Sequence, residues 1–187
     1  MENIYKSSVE MILEELIRCL GGVDEKQAEA LIEEILRAKR VFAIGAGRVL
    51  LMLQAFVKRL NHIGVEAYYV GAVNEPAAAP GDLLIVASGS GESAVPAAIA
   101  KVALKYKPKI AYVGSNMNST IAGMADIKVR IPCGTKLNLA GEMKSSQPMS
   151  SLFEQSLLIF LDSIVCMIVK KQNIDIKTLW ERHANLE

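Results

Sequence analysis

Three short segments rich in glycine and small polar residues each follow an apolar run: Gly45-Ala-Gly-Arg48, Ser88-Gly-Ser-Gly-Glu-Ser93 and Gly114-Ser-Asn116. The second offers hydroxyls at Ser88, Ser90 and Ser93, together with several backbone N–H groups, directly before a helical stretch whose N-terminus carries partial positive charge. That chemistry suits a phosphate group. An ordinary turn with Ser93 as a helix cap is the competing reading, but small residues alternating after a buried strand favour phosphate. The loop lacks the Gly-Lys-[Ser/Thr] ending that serves a triphosphate, so a phosphate monoester fits better than a nucleotide. Gly45-Ala46-Gly47 invites a dinucleotide reading. However, Leu50 stands where a third glycine belongs, and no acid closes the following strand, Tyr68-Tyr69-Val70-Gly71, so NAD is discounted.

The elements that must position these loops are legible from periodicity. Apolar residues at Ile4, Val9, Ile12, Leu13, Leu16, Ile17 and Leu20 predict a helix that Gly21-Gly22 stops, and Asp24 caps a second helix running to about Leu36. Together they form an N-terminal helical hairpin. From Val41 strands and helices alternate: strands at 41–44, 65–70, 83–87, 110–113 and 127–131, with helices reaching about His62, over 94–105 and near 119–124. Continuous apolar strands imply a sheet covered on both faces, hence an α/β, doubly wound, mostly parallel sheet with right-handed crossovers. The three polar loops then lie along one sheet edge, where such sheets bind ligands at the reversal of strand order. Residues 132–151 form one long irregular segment, of a kind often functional. A helix over 152–171 follows, and a last helix runs from about Asp175 to the end with Trp180 and His183.

Composition bounds the partners. The 187 residues, 51% hydrophobic and 22% charged, predict a single domain spanning 1–187. Burial of roughly 70% of the unfolded surface makes a core without disulfides or a structural metal. Cys19, Cys133 and Cys166 show no metal-binding spacing and read as reduced thiols. With 21 Lys plus Arg against 20 Asp plus Glu, a net charge of +1 gives no field for polyanions, so no nucleic acid is expected. The N-terminus lacks a signal peptide's basic and apolar regions, which predicts a cytoplasmic protein. The apolar stretch 156–169 is interrupted by Asp162 and Ser163 and falls short of the ~20 residues a membrane span needs, so it reads as a buried helix.

Gly45-Ala-Gly-Arg48, Gly81-Asp-Leu-Leu-Ile followed by Ser88-Gly-Ser-Gly-Glu92, Gln147-Pro-Met149 leading to Leu152-Phe-Glu-Gln155, and the terminal Arg182-His-Ala-Asn-Leu-Glu187 resemble the sugar isomerase (SIS) family. The last two stretches are similar to its 6-phospho-3-hexuloisomerase branch. The resemblance implies a flavodoxin-like five-stranded sheet, a homotetramer with active sites near subunit interfaces, and no metal or organic cofactor. It also implies a phosphorylated ketohexose substrate, with interconversion of a 3-hexulose 6-phosphate and fructose 6-phosphate. Two departures bear on the substrate: Val49 stands where many relatives have serine, beside Leu50, and Ser93-Ala-Val-Pro96 replaces a threonine-containing helix start. A non-catalytic phosphosugar sensor, or an isomerase of another phosphosugar, are the alternatives.

Moving a carbonyl between adjacent carbons requires a base that carries a proton from one to the other through a cis-enediol. Glu154, opening an apolar helix after the irregular segment, is the candidate, although a first-turn acid also suits the helix dipole by itself. His183 is the second catalytic candidate, because imidazole changes charge near neutrality and suits ring opening; the resemblance alone places it beside Glu154, within the chain or across an interface. His62, at a helix end, reads as structural. Arg48 offers a fixed fork of donors for phosphate or enediolate, with a surface salt bridge as the competing reading. Gly47, Ser88, Ser90, Ser93, Ser115 and Asn116 complete the expected substrate-binding set. Lys136, Asn138, Glu142 and Lys144 lie in the long segment and are open to lining the site, but nothing in their spacing says so, and they stay outside the catalytic set.

Overall fold

The structure, a computed structural model, describes residues 3–139 and 142–186. Five parallel strands run β1 (Val41–Ile44), β2 (Ala67–Tyr69), β3 (Leu83–Ala87), β4 (Lys109–Gly114) and β5 (Ile127–Arg130), in the spatial order β2-β1-β3-β4-β5. This is the flavodoxin-like doubly wound arrangement. The helices are α1 (Ile4–Leu20), α2 (Glu25–Arg37), α3 (Arg48–His62), α4 (Ala94–Ala103), α5 (Thr120–Met124) and α6 (Ser151–Lys171).

The central strands read as unbroken apolar runs because both faces are covered, and alternation sorts their side chains into two cores. Val41, Ala43, Leu83, Ile85, Ala111 and Val113 face a large core shared with α1, α2, α3 and α6. Phe42, Ile44, Leu84, Val86, Ile110 and Tyr112 face a smaller one closed by Ala100 and Ala103 of α4 and Ile121 and Ala122 of α5. Asp24 caps α2 as expected, accepting from the Lys26 N–H. The first two helices pack on the domain more than on each other: α1 runs along α6, and α2 lies against β5.

The sequence-based boundaries hold to within a few residues, with two differences. The last segment is not an α-helix from Asp175 to the end but a 3₁₀ helix over Ile176–Arg182, and His183 lies just beyond it. None of its residues is fully buried: Leu179 packs against the larger core while Ile176 and Trp180 stay exposed, so no continuous apolar stripe draws it onto the core, and Asp175 caps its first turn. Glu187, which ends the terminal motif, lies outside the described residues. The second concerns the apolar stretch expected to fall short of a membrane span: it lies in α6, which runs over Ser151–Lys171 as expected and whose 21 residues are long and apolar enough to cross a membrane, yet half of its most apolar window is buried against the rest of the fold. It is the central helix of the larger core.

Candidate active site

β1 and β3 are neighbours, with β2 outside the first and β4 outside the second, so the connections leaving their ends diverge and open a crevice. A cleft of about 330 Å³ occupies it. Gly47, Arg48, Ser88, Ser90, Ser93 and Glu154 all line this cleft, so loops from two strands and the start of α6 converge there.

The serine loop is tightly determined. The hydroxyls of Ser88 and Ser93 lie 3.0 Å apart, the Gly91 N–H donates to Ser88 Oγ at 3.1 Å, and the Tyr112 phenol donates to the Ser88 carbonyl at 2.9 Å. Burial pushes the Tyr112 phenol up to about 12, which keeps it a donor at neutral pH. Gly91 has φ +67°, and a Cβ there would meet Ser119 Oγ at 1.9 Å. Gly89 packs under Phe153, where a Cβ would sit 3.4 Å from the ring, bringing the first turn of α6 onto the loop.

Three helices begin at the cleft, and none caps its first turn with its own side chain: Gly47 before α3, Ser93 before α4 and Ser150 before α6. The helices that begin elsewhere are side-chain capped, by Asn3, Asp24, Ser119 and Asp175. The sequence left open whether Ser93 is a cap; its hydroxyl pairs with Ser88 instead. Converging helix starts without side-chain caps present N–H donors and partial positive charge to one space, which favours an anion.

Across the cleft, the Arg48 guanidinium donates through Nε to Glu154 Oε2. Glu154 is buried while the Arg48 side chain is largely exposed, so the ion pair spans the wall and mouth of the cleft. Arg48 therefore makes a salt bridge, but within the site and to the candidate base.

Ser115 and Asn116 do not line the cleft. Their backbone N–H groups both donate to the Gly89 carbonyl, and Asn116 Nδ2 donates to the Ser90 carbonyl at 3.3 Å, so they brace the serine loop from behind. His183 is not brought to Glu154 within the chain. Its ring lies 5.2 Å from that of His62 and 5.3 Å from that of Trp180. His62 is the last residue of α3 and Arg48 the first, a separation of about 21 Å at 1.5 Å per residue. Gly64 makes room there for the Arg182 guanidinium, which comes within 3.0 Å of the place a Cβ would occupy.

The long segment supplies site residues that sequence reasoning missed, Gly134, Thr135, Met149 and Ser150, and one it left unassigned, Lys136; all line the cleft, and Phe153 joins them from α6. A second cleft of about 530 Å³ adjoins it, sharing Gly134, Thr135, Lys136, Met149 and Ser150. Two carboxylates shape the segment. Glu142 accepts from the Thr135 N–H, the Thr135 hydroxyl and the Leu139 N–H, which ties both residues to its carboxylate. Glu15, buried on α1, accepts from the Ser145 hydroxyl, the Ser146 N–H and Gln147 Nε2. Burial raises the Glu15 pKa, but these hydrogen bonds together outweigh it and hold the carboxyl below its ordinary range. Near the start of the segment the free thiols of Cys19 and Cys133 meet in the core at 2.8 Å, while Cys166 is exposed.

Residues 34–159 match the family described as SIS domain. Over 94% of its length the chain is 38% identical to a 3-hexulose-6-phosphate isomerase of Bacillus subtilis, of which it covers 95%. It is 35% identical to one of Mycobacterium gastri, with 97% of this chain and 90% of that one aligned. Among solved structures, a protein of Methanococcus jannaschii for which the molecular function 3-hexulose-6-phosphate isomerase was inferred superposes with a TM-score of 0.83 at 28% identity, covering 97% of this chain and 99% of that one.

Proposed function

The chain belongs to the SIS domain family, and on that premise we propose that it is a phosphosugar isomerase that interconverts a 3-hexulose 6-phosphate and fructose 6-phosphate. The observation that carries this reading is the cleft itself, where three helix starts without side-chain caps and the serine loop face one space that also holds a buried carboxylate. An anion-binding wall and a base in one cleft are what an enediol isomerase requires.

In the proposed reaction the Glu154 carboxylate takes the proton from C2 of the bound 3-hexulose. The C3 carbonyl oxygen takes up the negative charge of a cis-enediolate, the proton of the C2 hydroxyl passes to it, and Glu154 returns its proton to C3 as the C2–O bond becomes the carbonyl. Gly47, Ser88, Ser90 and Ser93 bind the phosphate, and Ser115 and Asn116 hold that loop in shape. Arg48 orients the carboxylate through the ion pair and lends positive charge to the enediolate, the part of the path where negative charge develops. Val49 and Leu50 present no hydroxyl to the sugar chain, so recognition of the phosphate and the carbonyl region outweighs recognition of the other hydroxyls.

His183 is proposed to act on ring opening from a second subunit, because within its own chain it stands at the opposite end of α3 from the ion pair. This goes with a homotetramer of single SIS domains spanning 1–187. Supporting it, Ile176, Trp180 and Leu186 expose large apolar side chains around His183, and α1, outside the matched region, shares one core with the sheet. The test is conversion of enzymatically generated 3-hexulose 6-phosphate to fructose 6-phosphate by the purified protein with a metal chelator present. Turnover supports the reading. Binding of fructose 6-phosphate without turnover would make the chain a sensor or the isomerase of another phosphosugar.

A further inference from the structure

Among the described residues, three charged side chains line the cleft: Arg48, Glu154 and Lys136. The first two neutralise each other. Lys136 meets no carboxylate within ion-pairing distance among the described residues, which leaves it as the unbalanced cation of the lining. Glu142, the acid nearest in sequence, has both oxygens engaged by Thr135 and Leu139.

The backbone that carries Lys136 is held although its ammonium group is exposed. Thr135 is bonded through its N–H and its hydroxyl to Glu142, at 2.9 and 2.5 Å. Cys133 bridges to Met143, and a Cβ on Gly134 would meet the Met143 carbonyl at 2.8 Å, so the two limbs of the segment lie close. A flexible side chain on a fixed stalk reaches into both adjoining clefts, since Lys136 lines each of them.

A phosphate monoester carries roughly −1.5 to −2 charge at neutral pH. The hydroxyls and N–H groups of the serine loop are neutral donors, and the charge of Arg48 is balanced by the Glu154 carboxylate, to which its Nε donates. We propose that Lys136 is the cation that binds the phosphate of the substrate, in the cleft it shares with the Ser88–Ser93 loop. The proposal rests on reading the cleft as a phosphosugar site. An ammonium group suits this task, because it is a compact point charge with rotating donors that can follow a phosphate without a fixed fork.

The experiment measures fructose 6-phosphate binding by calorimetry, inhibition by inorganic phosphate, and steady-state turnover, for the wild type, Lys136→Met and Lys136→Arg. Lys136→Met is expected to weaken fructose 6-phosphate binding about tenfold to a hundredfold, the range of a hydrogen bond to a charged group. KM should rise in parallel, kcat should fall by less than about threefold, and phosphate should lose potency as an inhibitor. Lys136→Arg should recover most of the affinity. Affinity within twofold of wild type in Lys136→Met overturns the proposal, as does a large loss of kcat with affinity intact, which would put the ammonium at the reacting carbons. A wild type that binds fructose 6-phosphate but does not convert the hexulose phosphate refutes the isomerase reading alone, and the binding comparison still decides Lys136.

Discussion

Arg48 and Glu154, at the first turns of α3 and α6, meet as an ion pair across the mouth of the cleft. One opens the helix after β1 and the other the helix after the long segment, so the pair ties the two halves of the chain together at the proposed reacting center. If Arg48 orients the carboxylate, Arg48→Met should lower kcat by about a hundredfold, the scale on which small misplacements of catalytic groups act. KM for the sugar phosphate should change much less. Steady-state kinetics with the stability of each variant checked by thermal unfolding would decide it; a variant that raises only KM would instead place Arg48 on the phosphate.

Gly91 is the most constrained position of the serine loop, with φ +67° and Ser119 Oγ 1.9 Å from the place of its Cβ. Gly91→Ala should destabilise the fold by about 1–3 kcal/mol, the cost of one strained residue held in place. It should also weaken fructose 6-phosphate binding, because the Gly91 N–H orients Ser88. Denaturant unfolding and calorimetry on the same preparation measure both effects, and a variant as stable as wild type would contradict the geometry.

Glu15 predicts an acid-sensitive segment. Its folded pKa lies below its ordinary value, so its contribution is complete above the ordinary carboxylate range, ~4.3, and is lost as pH falls through the lowered folded value. The stability difference between wild type and Glu15→Gln should therefore be largest near neutrality and shrink below about pH 4. Urea unfolding of both proteins over pH 3–7 tests this. A difference that stays constant, or grows on acidification, would contradict it.

Much of this was legible in the sequence for physical reasons. β3 reads Leu-Leu-Ile-Val-Ala because both faces of a central strand are covered, and α1 announced itself through one apolar stripe and a glycine stop. The serine loop was legible because small residues between a buried strand and a helix start, the pattern that suits an anion, are contiguous in the chain. The ion pair was not, since Arg48 and Glu154 lie on separate elements with no local pattern linking them. Lys136 was passed over because an irregular segment has no period from which to read a direction. Its place depends on Glu142 and Glu15, which become acceptors for the segment only in the folded chain. The end of the chain misled for the opposite reason: seven residues with a capped start look helical, but Leu179 alone packs against the core, too little burial to hold an α-helix.

If His183 serves a neighbouring subunit, Glu154→Gln and His183→Ala proteins should each be deficient alone, yet mixed assemblies should regain part of the wild-type rate. Each verified heteromer would then hold some sites with both native groups. Activity of the mixture after denaturation and reassembly measures this. Heteromers that remain as inactive as their parents would place His183 outside the site.

The most direct measurement compares turnover of 3-hexulose 6-phosphate by the wild type and by Glu154→Gln, with fructose 6-phosphate binding measured on both. Loss of a positioned proton-transfer group should lower kcat by about 10²- to 10⁴-fold, with binding retained. Full turnover by Glu154→Gln would show that another group moves the proton and would contradict the mechanism at its center.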